Sequence, residues 1–471
     1  MTDRQARNTL AISGLAVLVT FLDTTVLFVA FPDISRTFAS AGPAQLSWVL
    51  NAYTIAFAAL LVPAGKVADR IGHRRVFLFG SGLFTLASLA CAVAPTVDML
   101  IAFRVVQAVG AAALIPSSLA LVMRAYPRDK LPVAVAIWGA MGAAAGAVGP
   151  TLGAVLIEAG SWRWVFVINV PAGLVIAVFG RRVLRESSDP ETRIPAVAGV
   201  VLIAAAAALS SLAVVQSNDW GWLDARTIGV LVAAALLLAA FVLHQQRTDA
   251  PALDLELLKI GNFAWANAAM FAFGVAFSAM FLSNFLFMTQ VWGFSLIQTG
   301  LGVTPGPLLV AILAPRLGKV AGRVGQRPLI VAGGLVYAVA GVWRLLLLDA
   351  TPRYWTAFFP SMVLTGLGVA LCIPQLSSAI AQSLPPNRAG VGGAVFQAVR
   401  QFGGTLGVAF TIALIARPQS AADALAKFDR VWILLIVGGL LTSAAALRLS
   451  TRQAPVPALD PLTAVEIDLA V

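Results

Sequence analysis

An acid at position 23 stands in a stretch, residues 10–31, that is otherwise free of charge. An ionised carboxylate that deep in an apolar span is costly, and such residues are usually partnered and functional. Burial opposes its charged form and a nearby cation favours it, so Asp23 can exchange a proton as its access to water changes. The best cation by depth is Arg104 in the fourth apolar span, with Gln107 a turn further on. A purely structural ion pair is the competing reading. Glu158, at the end of the fifth span, is a candidate second proton carrier, although a solvated helix-end residue is the preferred reading. Arg400 lies midway along another span, within Gln397-Ala398-Val399-Arg400-Gln401, too deep to snorkel easily. It could attract an anionic group of a substrate, pair with Asp23 in one state, or tie down backbone carbonyls, the last being preferred. Arg344, beside Trp343 near a span's outer end, is expected to snorkel. His73 and His244 fall in loops without an assigned role. No His/Cys/Asp/Glu cluster, nucleophile elbow or phosphate loop is present, so neither an enzyme, a metal site nor a cofactor is expected. Cys91 and Cys372 sit in apolar segments and read as packing residues.

The elements that must position these groups are membrane helices. Hydrophobic residues are 59% of the chain and charged residues 11%, against about 25% charged in a soluble domain. Stretches 37–65, 131–157 and 354–387 carry no charge at all, and about 20 apolar residues span a bilayer as a helix. Fourteen spans follow, near 9–32, 46–64, 76–95, 98–123, 132–158, 163–181, 194–215, 227–246, 262–290, 297–316, 328–348, 354–382, 389–416 and 431–448. The first holds an acid and no cleavage-site pattern, so it is a retained helix. With the N-terminus inside, 22 Lys/Arg fall in inner loops and tails, 7 in outer loops and 3 within helices. That bias predicts both termini in the cytoplasm. The formal charge of +11 is thus a topology signal, not a nucleic-acid surface.

The chain also repeats itself. Residues 65–75, G-K-V-A-D-R-I-G-H-R-R, return at 318–328 as G-K-V-A-G-R-V-G-Q-R-P, with seven of eleven positions identical. Leu114-Ile115-Pro116 is answered by Cys372-Ile373-Pro374, and Gly149-Pro150-Thr151-Leu152-Gly153 by Gly403-Gly404-Thr405-Leu406-Gly407. Two related helix bundles in tandem are a mark of secondary transporters. Spans 194–215 and 227–246 lie between the repeats as an extra pair. The expected division is therefore residues 1–185, 186–256 with the extra helices, 257–450, and a cytoplasmic tail at 451–471. In the fifth span Gly142, Gly146, Gly149 and Gly153 fall on one stripe, which lets helix backbones approach closely in lipid, and Pro150 permits a bend.

Residues 65–75 resemble the signature loop of the major facilitator superfamily. The run from Leu22 through Asp23-Thr24-Thr25 to Pro32, the Gly142–Gly153 stripe, and Ser161 to Pro171 resemble the fourteen-helix drug:proton antiporters. The resemblance implies two six-helix bundles related by a pseudo-twofold axis, plus two added helices, in a bacterial cytoplasmic membrane. It implies a cytoplasmic latch at Gly65, Asp69, Arg70, Gly72 and Arg74, one-sided because Gly322 replaces the acid in the second copy. Arg104 and Gln107 resemble the family's helix-4 motif, in which the arginine is tied to proton coupling, and the resemblance associates the glycine stripe with export. Ala108 and Phe28 depart from the family's usual glycine and asparagine.

A cavity is expected among Asn51, Tyr53, Gln107, Met280, Asn284, Gln290, Gln375 and Arg400, where soft apolar and polar side chains could hold varied ligands. The implied function is proton-coupled export of lipophilic, cationic compounds by a monomer, driven by the proton gradient without a cofactor. Export of an endogenous metabolite, lipid or self-made antibiotic is the alternative, and proton-coupled uptake a lesser one.

Overall fold

The computed structural model describes residues 3–127, 130–189, 194–248, 251, 255–384, 389–415 and 420–450. The tail expected at 451–471 and parts of both linkers around the extra pair lie outside these residues. Fourteen helices account for most of the chain: α1 (Asp3–Thr37), α2 (Pro43–Ile71), α3 (His73–Ala92), α4 (Val97–Ala125), α5 (Leu131–Glu158), α6 (Trp164–Val183), α7 (Val197–Trp220), α8 (Ala225–Arg247), α9 (Gly261–Gln290), α10 (Leu296–Val324), α11 (Gln326–Leu347), α12 (Tyr354–Gln382), α13 (Ala389–Ile415) and α14 (Ala421–Ala446). Helices α6 and α10 are each interrupted at one residue, Ile168 and Thr304, and α12 opens with a π turn at Tyr354–Phe358. Thirteen of the fourteen are long and apolar enough to cross a bilayer. Helix α14 begins with the charged residues Asp423, Lys427, Asp429 and Arg430.

The packing order of the first six helices recurs in the last six. Helix α1 lies on α5 as α9 lies on α13, α3 on α4 as α11 on α12, and α2 on α4 as α10 on α12. The sequence repeat has a steric counterpart. Gly80 and Gly110 bring α3 and α4 so close that a Cβ on Gly80 would sit 2.9 Å from the Gly110 carbonyl oxygen. Gly333 and Gly368 do the same for α11 and α12, at 3.1 Å. Both copies of the signature hairpin turn through a glycine in the left-handed region, Gly72 (φ 124°) and Gly325 (φ 83°), where a side chain would be strained.

The two halves meet along two seams, α2 with α13 and α5 with α10. Helix α7 packs on both α2 and α13, and covers the first seam. Its buried Ser211 hydroxyl takes a hydrogen bond from Asn51 Nδ2 at 2.9 Å. Helix α8 packs mainly against α7 and is largely exposed.

Candidate proton-coupling site and central seam

Four helices place polar groups around Asp23. Its side chain is 2% exposed and Arg104 is 1% exposed, so both are shut away from water. Arg104 Nη1 donates to Asp23 Oδ2 at 2.5 Å and to Gln107 Oε1 at 2.6 Å. The other carboxylate oxygen accepts from Gln107 Nε2 at 2.8 Å and from Asn169 Nδ2 at 2.9 Å. Ser88 Oγ in α3 takes further bonds from both amides, at 2.7 and 3.2 Å. Arg104 Nε reaches the Val49 carbonyl at 3.3 Å, and its guanidinium lies 4.0 Å from the Tyr53 ring centroid. A buried pair recovers its desolvation cost only when the geometry is good and the remaining donors are met. Here both carboxylate oxygens face donors, Oδ1 two and Oδ2 one.

The second half holds a buried arginine of another kind. Arg344 in α11 is fully buried, which overturns the expectation that it snorkels. Its side chain runs inward between α9, α12 and α14. Nη1 donates to Asn284 Oδ1 at 2.7 Å and Nε to Ser361 Oγ at 3.1 Å, while Nη2 lies 3.6 Å from Met362 Sδ. The Trp432 and Phe358 rings flank it at 4.9 and 5.3 Å. No carboxylate pairs with it among the described residues. The rings and the amide explain its inward aim, since together they solvate a cation that lipid would not.

The glycine stripe of α5 abuts α1 at three points. A Cβ on Gly142 would lie 3.2 Å from the Phe21 ring and one on Gly153 2.9 Å from Val26, while Gly149 fits against Thr25. Gly146 faces open space. Pro150 lies on the α5–α10 seam, where its carbonyl oxygen packs against Gly300. The same seam carries a hydrogen bond between Thr151 and Thr304 at 2.8 Å, and at its far end the exposed Glu158 accepts from Ile297 N at 2.8 Å. Glu158 therefore fastens the two halves and lies apart from Asp23.

The signature hairpin is closed on its own half. Asp69 Oδ1 lies 3.1 Å from Nε2 of His73, which is buried at the start of α3 and is not the free loop residue expected. Glu186, just after α6, accepts from the backbone N–H groups of Arg74 and Arg75 at 3.0 and 3.1 Å and so caps α3. Arg74 Nη2 donates to the Arg181 carbonyl at 2.6 Å, Arg70 is exposed, and Gly65 packs on Pro116. Gly72 is pressed against Glu186. No side-chain bond from Asp69, Arg70 or Arg74 to the second half is present among the described residues.

The expected cavity set disperses. Gln107 and Tyr53 belong to the Asp23 network, and Asn51 is spent on Ser211 of α7. Met280 and Asn284 are buried beside Arg344, Asn284 Nδ2 lying 3.0 Å from Met280 Sδ. Gln290 is exposed at the end of α9, and Gln375 is buried within α12. Arg400 alone stays on the central seam. Its guanidinium lies 5.2 Å from the Phe21 ring of α1, and it bonds no backbone carbonyl among the described residues.

This arrangement matches a known family along most of its length. The Major Facilitator Superfamily profile covers residues 14–408. The chain belongs to that superfamily. The multidrug resistance protein Stp of Mycobacterium tuberculosis (strain ATCC 25618 / H37Rv) is 34% identical over 414 residues, 88% of this chain and 76% of that protein. The tetracenomycin C resistance and export protein of Streptomyces glaucescens is 32% identical over 412 residues, 87% of this chain and 76% of that one. The multidrug export protein EmrB of Escherichia coli (strain K12) is 29% identical over 416 residues, 88% and 80% respectively. A solved bacterial homologue of the human lysosomal transporter spinster, inward-facing and unoccupied, superposes with a TM-score of 0.68 at 16% identity, covering 97% of this chain and all of that one. As a superfamily member related to the fourteen-helix drug:proton antiporters, the protein is an exporter akin to multidrug and antibiotic export proteins, not an enzyme.

Sequence reasoning on this superfamily member missed Asn169, Ser88 and Ser361 as parts of the two buried centres. An asparagine two residues before Pro171, in an apolar run, was the available signal for Asn169. Serines are too common in membrane helices to have marked the others.

Proposed function

We propose that the protein exports lipophilic compounds across the cytoplasmic membrane in exchange for protons, with Asp23 as the proton-carrying group and both termini in the cytoplasm. The carrying observation is the enclosed Asp23–Arg104–Gln107–Asn169 network. Protonation of Asp23 removes the charge that Arg104 compensates. The guanidinium then keeps only Gln107, the Val49 carbonyl and the Tyr53 ring, so α1 and α4 are held together less firmly. Release of the proton restores the pair. A two-state tie of this kind, set between helices of one bundle, lets proton occupancy bias the rocking of the two halves. Each proton entering supplies about 2.3 kcal/mol per 100 mV of membrane potential, in addition to the pH gradient.

The inter-half contacts described above, Glu158–Ile297, Thr151–Thr304 and Phe21–Arg400, run from the end opposite the signature hairpins to mid-membrane. They suit a state open toward the hairpins, with the latch of Asp69, Arg70 and Arg74 disengaged. The test is efflux of a fluorescent lipophilic dye from proteoliposomes under an imposed pH gradient. Asp23→Asn should abolish gradient-driven efflux while leaving downhill dye exchange measurable. Unchanged gradient-driven efflux in Asp23→Asn would remove the assignment.

A further inference from the structure

Among the described residues the helices bury one acid, Asp23, and two arginines, Arg104 and Arg344, while Arg400 is partly exposed on the seam. Asp23 is consumed: its oxygens take bonds from Arg104, Gln107 and Asn169 behind the faces of α1 and α4. Arg344 is enclosed within its own bundle. Arg400 differs from both. It is the twelfth residue of α13, on the helix that forms a seam with α2, and its Cζ sits against Phe21 of the opposite half. Its Nε is enclosed without an acceptor. Neither terminal nitrogen has a hydrogen-bond or ion-pair partner among the described residues, and neither is enclosed as Nε is, so both reach open space. Arg400 and Phe21 are both partly exposed, in contrast with the buried Leu22 and Asp23 that follow Phe21 on α1.

A permanent cation with free donors, set against an aromatic ring of the opposite half on the seam, is a receptor for an anion carried on an apolar body. Guanidinium donors match a carboxylate geometrically, and desolvation strengthens the attraction. Among the described residues no carboxylate pairs with Arg400, and the buried acid Asp23 is closed behind Arg104. We propose that Arg400 is a substrate-recognition residue, and that the exported compound bears a carboxylate or similarly acidic group on an aromatic or aliphatic skeleton. This rests on the export reading above and reverses the expectation of a cationic cargo.

The experiment is equilibrium binding to the purified full-length protein in nanodiscs, which does not require transport. Three fluorescent probes share one ring system: 9-anthracenecarboxylate, 9-anthracenecarboxamide and (9-anthracenylmethyl)trimethylammonium. The wild type should bind the carboxylate at least tenfold more tightly than the amide, and the cation most weakly. Arg400→Gln should erase the preference for the carboxylate while leaving amide affinity unchanged, which also shows that the variant is folded. Arg400→Lys should retain part of the preference. The proposal is overturned if the wild type favours the cation or does not discriminate, if Arg400→Gln keeps the carboxylate preference, or if it weakens all three probes equally. Arg400-dependent anion preference without gradient-driven movement would sink the export reading alone. Gradient-driven movement without anion preference would sink this inference alone.

Discussion

Each half of the protein buries one arginine among the helices that flank its core, and the two are neutralised by different means. Arg104 faces a carboxylate, the Gln107 amide, a backbone carbonyl and the Tyr53 ring, whereas Arg344 faces an amide, a hydroxyl, a thioether and two aromatic rings. The first set contains a group that can change charge, and the second does not. Two halves with matching backbones thus divide the labour. On the function proposed above, the N-terminal centre stores and releases a proton, while the arginine of the C-terminal centre has no carboxylate partner among the described residues. A tandem repeat conserves where helices approach, at Gly80–Gly110 and Gly333–Gly368, without conserving what sits between them.

Substitutions that unbalance one centre and spare the other break this contrast. Arg104→Ala leaves Asp23 buried without its cation, and loss of one partner of a buried pair costs about 3–5 kcal/mol. A large fall in the thermal midpoint in detergent is expected, together with loss of gradient-driven transport. Adding Asp23→Asn to Arg104→Ala should restore most of the stability and none of the coupling. At the other centre Arg344→Met strands only the Asn284 amide, a loss of about 1–3 kcal/mol. The thermal midpoint should drop moderately while the ratio of protons to substrate, measured by pH and substrate fluxes together, stays as in the wild type. A change in that ratio would erase the division between the halves.

Smaller effects sharpen it. Gly407 of α13 packs on the backbone of Val275 in α9, whereas Gly146 of α5 faces open space. Gly407→Ala should cost about 1–2 kcal/mol through overpacking, and Gly146→Ala should stay within about 0.5 kcal/mol, both read from unfolding midpoints. Glu186→Gln weakens the cap on α3, at a cost of about 0.5–1 kcal/mol. The matching turn at Gly325 of the second half should tolerate charge changes nearby without loss, because Gln326 there bonds only Ser378 and Gln382.

The sequence made the first centre readable and the second nearly invisible, for a physical reason. Asp23, Arg104 and Gln107 are polar residues in long apolar runs, at matching depths, so cost alone singles them out. Arg344 lies three residues from the end of α11, where depth permits either snorkelling or burial, and only the rotation of the helix decides. That rotation is set by Asn284, Phe358 and Trp432, on three other helices. The bond from Asn51 to Ser211 was not legible, because Ser211 sits on the inserted pair and no repeat or period says where an insertion docks. The tandem architecture, by contrast, was legible from the paired hairpins, and a close approach by α5 from the spacing of Gly142, Gly146, Gly149 and Gly153. Neither the partner α1 nor the open space at Gly146 was legible there. The state proposed above for the Asp69 latch depends on how the two halves sit, which residue spacing does not encode.

Helix α7 touches both halves but is pinned to one. Its buried hydrogen bond goes to Asn51 of α2, and among the described residues none joins it to α13. When the halves swing, the extra pair should ride as a passenger on the N-terminal side and slide over its neighbour. Cysteines cross-linked between α7 and α2 should leave turnover intact, and the same staple between α7 and α13 should stall it.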